Sequence, residues 1–130
     1  METVQPPGWP RPKGYSNGVA AEGRLVFVAG QVGWDAARET FETDDFAGQF
    51  RKALENVCAV LAAAGAGPEH VARLTLYFTA KREYLAAARE VGAAWREVMG
   101  RNYPAMAAVE VSALIEDRAK VEVEATAVVP

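Results

Sequence analysis

The chain has 130 residues, 51% of them hydrophobic and 24% charged, with a net charge of −3. One domain with a real core fits that length, and the acidic balance argues against nonspecific nucleic-acid binding, which rests on many Lys and Arg contacts to phosphate. The single cysteine (Cys58) leaves no intrachain disulfide, one histidine with it makes no recognisable zinc set, and no apolar run approaches the roughly 20 residues of a membrane helix. No metal or cofactor, no nucleic-acid partner and no membrane partner is therefore expected. With no apolar leader before Lys13, the cytosol (a cytoplasmic protein) is the default expectation.

In chain order, Met1–Lys13 carries Pro6, Pro7, Pro10 and Pro12 and reads as an extended Pro-rich segment (1–13) ahead of one domain, 14–130. Ser16–Ala21 and Arg24–Ala29 flank Glu22-Gly23 as a plausible β-hairpin. The run Leu25–Ala29 is almost continuously apolar, as in a strand buried on both faces. Gly30-Gln31-Val32-Gly33 ends it in a glycine-flanked turn where backbone could approach a ligand closely.

Asp44 and Asp45 suit a helix start, and Phe46, Phe50, Ala53, Leu54, Val57 and Leu61 mark one helical face that Gly65, Gly67 and Pro68 terminate. Val71–Thr79 alternates as a strand. A second helix is predicted from about Arg82 to Met99, with Tyr84, Ala88, Val91, Trp95 and Val98 as its apolar stripe and Gly100 as C-cap. Two strand-like runs, Ala107–Leu114 and Ala119–Val129, complete the order β-β-α-β-α-β-β. Both helices are amphipathic on one face, so the expected class is α+β, a single mixed sheet with two helices on one face. No third layer remains for the sheet's other face, which points to self-association.

These landmarks, in this order, resemble the RidA (YjgF) family from Gly14 onward. Tyr15-Ser16 is similar to its opening pair, and Val26-Phe27-Val28-Ala29-Gly30-Gln31 to its second strand and Gly-Gln turn. Gln49…Ala53-Leu54-Glu55-Asn56-Val57 is similar to its helix signature. Pro104-Ala105, Val109-Glu110-Val111 and Val121–Ala127 resemble its C-terminal signature. The resemblance implies a chorismate-mutase-like fold and a homotrimer with a small-molecule ligand cleft between adjacent subunits. In the deaminase branch an arginine after the Pro-Ala pair would grip the carboxylate of an enamine or imine, while a glutamate and backbone groups position a hydrolytic water. This chain has Met106 at that arginine's place.

By the same resemblance, Glu122 is the candidate catalytic carboxylate, and Tyr15, Gly30, Gln31, Tyr84, Met106 and Ala107 are the candidate ligand-binding residues. Each has a plainer reading. Glu122 alternates with Glu124 as a solvated strand residue would, Tyr15 and Tyr84 are amphipathic aromatics suited to any interface, and Gly30 ends a strand. Met106 is the departure with the largest consequence, since a thioether neither stays charged nor binds a carboxylate bidentately. Ala29, Ala88 and Ala108 remove further polar groups. Arg101 and Lys120 are the nearest cations in sequence that could substitute, and Trp34 could line an enlarged pocket.

Two functional readings follow. The first is a hydrolase or deaminase-like enzyme acting on imines, enamines or related reactive metabolites, with altered or lost deaminase activity. The second is a non-catalytic small-metabolite binding protein. An endoribonuclease or translation-inhibitor role is disfavoured by the acidic composition and by the lone His70, expected at the surface.

Overall fold

Helix α1 (Phe46–Ala63) forms where the sequence places it, because Asp45 caps it and its apolar residues return to one side. The Asp45 Oδ2 accepts the Gly48 N–H at 2.9 Å, and Phe50, Ala53, Leu54, Val57 and Leu61 are all buried. In the computed structural model, which describes residues 1–130, this helix lies on a four-stranded sheet of β3 (Arg24–Val32), β4 (Val71–Phe78), β5 (Ala105–Glu110) and β6 (Val121–Val129). The strand order is β3-β6-β4-β5. Only β4 and β5 pair in parallel, so the sheet is mixed.

Period-two alternation sorts the sheet into two faces. Leu74, Leu76 and Phe78 of β4 stand in register with Ala125, Val123 and Val121 of β6, and this set is buried under the helices. Val26 and Val28 of β3 join it. Each leucine so buried contributes roughly 2 kcal/mol through lost water contact. The opposite face has no helix over it. There β3 presents Leu25 and Phe27, the latter 73% exposed. The expectation that β3 is buried on both faces fails within one chain for that reason.

Strand pairing corrects two further expectations. β2 (Gly18–Ala20) does not form a hairpin with β3 but pairs antiparallel with β1 (Glu2–Val4), so the first residues of the Pro-rich segment are strand. Three residues of β2 offer little to a nine-residue strand, and β3 instead takes β6 along almost its whole length. Gly23 lies at φ 148°, where a side chain would overlap the Val129 carbonyl, so the chain can swing from one sheet to the other. After the paired segment, the Gln5 amide donates to the Trp9 and Pro10 carbonyls and accepts from Asn17.

The second predicted helix is two, α2 (Lys81–Ala86) and α3 (Ala88–Val98), with a tightened turn at Ala87. No glycine or proline breaks it. Tertiary packing does: Tyr84 stacks on Phe78 at 4.7 Å, while Val91, Ala94 and Trp95 pack into the core beside α1. The run Ala107–Leu114 is strand only to Glu110, where its register with Phe78 ends. No helix is long and apolar enough to cross a membrane.

Two amides of α1 are buried among these elements. Gln49 donates to the Thr43 and Arg118 carbonyls, both at 3.0 Å, and accepts the Lys120 N–H at 2.8 Å. Asn56 donates to the carbonyls of Val32 and Trp34 at 3.0 and 2.9 Å. Gln49→Leu leaves three backbone groups without partners in a site that water does not reach. Urea unfolding should show a loss of about 3–5 kcal/mol, and a loss below ~1 kcal/mol would show that these bonds are not needed.

Candidate functional site

The start of β5 is fastened from outside the sheet. The Ser16 N–H donates to the Pro104 carbonyl at 3.0 Å and its hydroxyl to the Tyr103 carbonyl at 2.5 Å, while Ser16 itself is buried. That clamp sets Tyr15, 41% exposed, at the wall of a cavity of about 520 Å³ between β5 and the second helical segment. Tyr84, Leu85 and Ala88 contribute from the junction of α2 and α3, and Val91, Gly92, Trp95 and Arg96 from α3. Met106 and Ala108 form its floor from β5, because their register with Leu74 and Leu76 turns them to the helix side. The cavity therefore joins Tyr15, Tyr84 and Met106, three of the predicted ligand residues, with both small alanines.

Its wall is apolar and aromatic. Trp95 and Tyr103 lie nearly parallel, with centroids 6.2 Å apart, and Phe50 and Leu76 close the inner end. The Trp95 indole N–H is buried without a partner. No acidic side chain lines the space.

The other predicted residues lie elsewhere. Glu122 pairs in register with Tyr77, and Ala107 with Thr75, on the sheet face away from the helices. Gly30 shares that face with Glu122: a Cβ on Gly30 would overlap the Glu122 carboxylate, so glycine leaves the space the carboxylate occupies. The β3–β6 register shifts between Val28 and Gln31, a bulge of the kind that re-aims side chains. Gln31 turns its amide back to the Ala29 carbonyl at 3.0 Å. Within one chain, the Met106 cavity and the Gly30–Glu122 pair thus sit on opposite sides of the sheet.

Neither cation suggested by proximity in sequence lines this cavity. Lys120 bonds Glu83 at 2.8 Å, and Arg101 lines an adjoining depression with Arg11 and Tyr103. Trp34 packs against Phe41 at 5.7 Å and is also absent from the cavity. The cations that do line it are Lys13 and Arg96, to which sequence reasoning gave no role. Arg96 was findable, since it follows Ala88 and Gly92 at helical spacing on the flank of the stripe. Lys13 was not, because only the Ser16 clamp brings its segment there.

His70 is partly buried, its Nδ1 accepting the Gly67 N–H at 3.0 Å, so it is less exposed than expected. Cys58 is half-buried and 3.8 Å from the Met99 sulfur; burial, then Glu55 and Glu69, push its thiol pKa up, so it is a poor nucleophile. On the open face Tyr77 donates to Glu124 at 2.6 Å, and that bond, then desolvation and the Glu124 charge, raises its phenol above the usual 10.0.

The family model described as Endoribonuclease L-PSP matches residues 10–129. A RutC family protein of Pyrococcus horikoshii is 38% identical over 91% of this chain and 90% of its own length. The human 2-iminobutanoate/2-iminopropanoate deaminase is 27% identical over 98% of this chain and 88% of its own. The structure of a Rid-family protein of unknown function from Yersinia pestis superimposes with a TM-score of 0.82 at 30% identity, covering 98% of both chains.

The Tyr77 shift has a definite sign. The fold favours the neutral phenol, so its stabilising contribution is complete below pH 10 and is lost as pH rises through the raised value. Of the four tyrosines, Tyr77 should be last in an absorbance titration of phenolate, and Tyr77→Phe should delete that last step. A wild-type curve completed near the ordinary tyrosine value would contradict the bond to Glu124.

Proposed function

The chain belongs to the RidA (YjgF) family, and on that premise we propose that it is a deaminase-like hydrolase of altered specificity. Its substrates are imines, enamines or related carbonyl compounds that need no arginine beside Met106 to grip a carboxylate next to the reacting carbon. The observation that carries this is the Met106 floor of the cavity, set among Ala88, Ala108 and aromatic rings where a guanidinium would be needed. One charge-assisted pair of that kind is worth roughly 100-fold or more in binding.

The chemistry asks little of the protein. Water adds its oxygen to the imine carbon while a carboxylate takes one of its protons and passes it to nitrogen; the carboxylate then moves the hydroxyl proton of the resulting carbinolamine to the amino group, and ammonia leaves as the C=O forms. Glu122 is the carboxylate for this role. It cannot serve the cavity of its own chain through the sheet, so the reading pairs the Met106 cavity of one copy with Gly30 and Glu122 of the next. A homotrimer closes such heterologous contacts into a ring. It also covers the face that leaves Leu25, Phe27 and Val109 exposed.

A second reading, binding without turnover, is favoured by one feature: the cavity by itself contains no acid or base except cations and phenols. Ribonuclease action gains nothing from His70, whose Nδ1 is committed to Gly67.

Sedimentation should give a species of three times 14.0 kDa. Freshly generated 2-iminopropionate, with ammonia release coupled to an optical readout, should be hydrolysed little above its spontaneous rate by the parent protein. Met106→Arg should raise that rate by about 100-fold. A parent protein already fast on 2-iminopropionate, and not improved by arginine, would contradict the altered specificity. A broader imine screen with no turnover, beside measurable ligand binding, would select the second reading.

A further inference from the structure

The four ion pairs of the chain use Arg51, His70, Arg118 and Lys120 as their basic partners. Lys13 and Arg96 are in none of them, yet both line the Met106 cavity, whose other walls hold no acid. A depression lined by Arg11 and Arg101 adjoins it, sharing Gly14, Tyr15 and Tyr103, and it too has no acidic side chain. In a protein of net charge −3, four uncompensated cations are thus gathered around one aromatic opening. Their fields add there, because none of them is in an ion pair and no acidic side chain lines either depression.

We propose that the cavity takes an amphipathic anion, with an aromatic or similarly bulky apolar body over Met106 and a carboxylate or phosphate held at the mouth by Lys13 and Arg96. The inference rests on the reading of this cavity as the ligand cleft and names the ligand class. The apolar body follows from the lining: Met106, Ala108, Leu76 and the rings of Tyr15, Tyr84 and Trp95 offer contact area and few polar partners. The anion follows from the rim. A guanidinium and an ammonium without protein partners are ready to accept an acidic group without first breaking an ion pair. Moving the cationic contact from the floor to the rim changes the ligand that fits. The acidic group no longer sits beside the reacting centre, as in 2-iminopropionate, but is separated from it by the length of the apolar body.

Three naphthalene probes test this by calorimetry on the assembled protein: 2-naphthoate, 2-naphthyl phosphate and the neutral 2-naphthamide. The two anions should bind at least tenfold more tightly than the amide, and raising salt should shrink the gap. The better of the two anions identifies the acidic group. Arg96→Gln and Lys13→Gln, both at exposed positions, should each weaken the anions by about tenfold and leave the amide unchanged. Equal binding of anions and amide, or anion affinity indifferent to both substitutions, would overturn the anionic rim while leaving the apolar cleft intact. Failure of all three probes to bind would overturn the amphipathic-anion class, whereas the cleft reading beneath it is tested separately by Met106→Arg.

Discussion

Two buried amides on one helix hold the ends of the strands that carry Gly30 and Glu122. Gln49 and Asn56 lie on α1, seven residues apart and so on one side of it, and their bonds all go to segments outside the helix. Asn56 fixes the carbonyls of Val32 and Trp34, the exit of the strand that carries Gly30. Gln49 fixes Arg118 and Lys120, the approach to the strand that carries Glu122. Gly33 lets this happen, because any side chain there would overlap the Gln49 backbone. Further along, Arg118 bonds Asp44 and lies over the Phe41 ring, so the loop before α1 is held to the same point. The Gly30–Glu122 pair is thus positioned from the far side of the sheet by groups that never face a ligand.

That arrangement divides the chemistry. The sheet is one strand thick, and period-two alternation sends Met106 to its helix side and Glu122 to its open side. No side-chain rotation brings them together in one chain. The open face leaves Phe27 largely exposed, and the proposed assembly covers it with another copy. In the reading proposed above, assembly and activity then become one requirement. In that reading, the half-site rich in apolar surface selects the ligand and the half-site with the carboxylate moves the proton.

Much of this was legible in the sequence. The helix α1 and its stripe follow from the spacing of Phe46 to Leu61, with Asp44 and Asp45 marking its start though Asp45 proves to be the cap, and alternation in Val71–Phe78 and Val121–Val129 gave the central strands. The Gln49 and Asn56 positions stood out only as a pattern, and the structure supplies their physical meaning. What could not be read was pairing. The Glu22-Gly23 turn looks like a hairpin locally, but β3 finds a longer partner a hundred residues away, and long-range choice leaves no local signal. The break at Ala87 is equally silent, since the packing of Tyr84 on Phe78 makes it. Lys13 reaches the cavity by the same kind of tertiary placement, while Arg96 follows Ala88 and Gly92 along one helix; Lys120 and Arg101, nearer in sequence to Glu122 and Met106, do not line it.

The division of the site between copies can be tested without any substrate. In a Cys58→Ser background, Met106→Cys and Glu122→Cys are introduced into one chain, and the assembled protein is treated with a short bis-maleimide. Joined half-sites across an interface should give covalent species of two and three chains on a denaturing gel, and neither single cysteine variant should give the three-chain species. Exclusively single-chain product from the double variant, with both thiols consumed, would contradict the shared cleft.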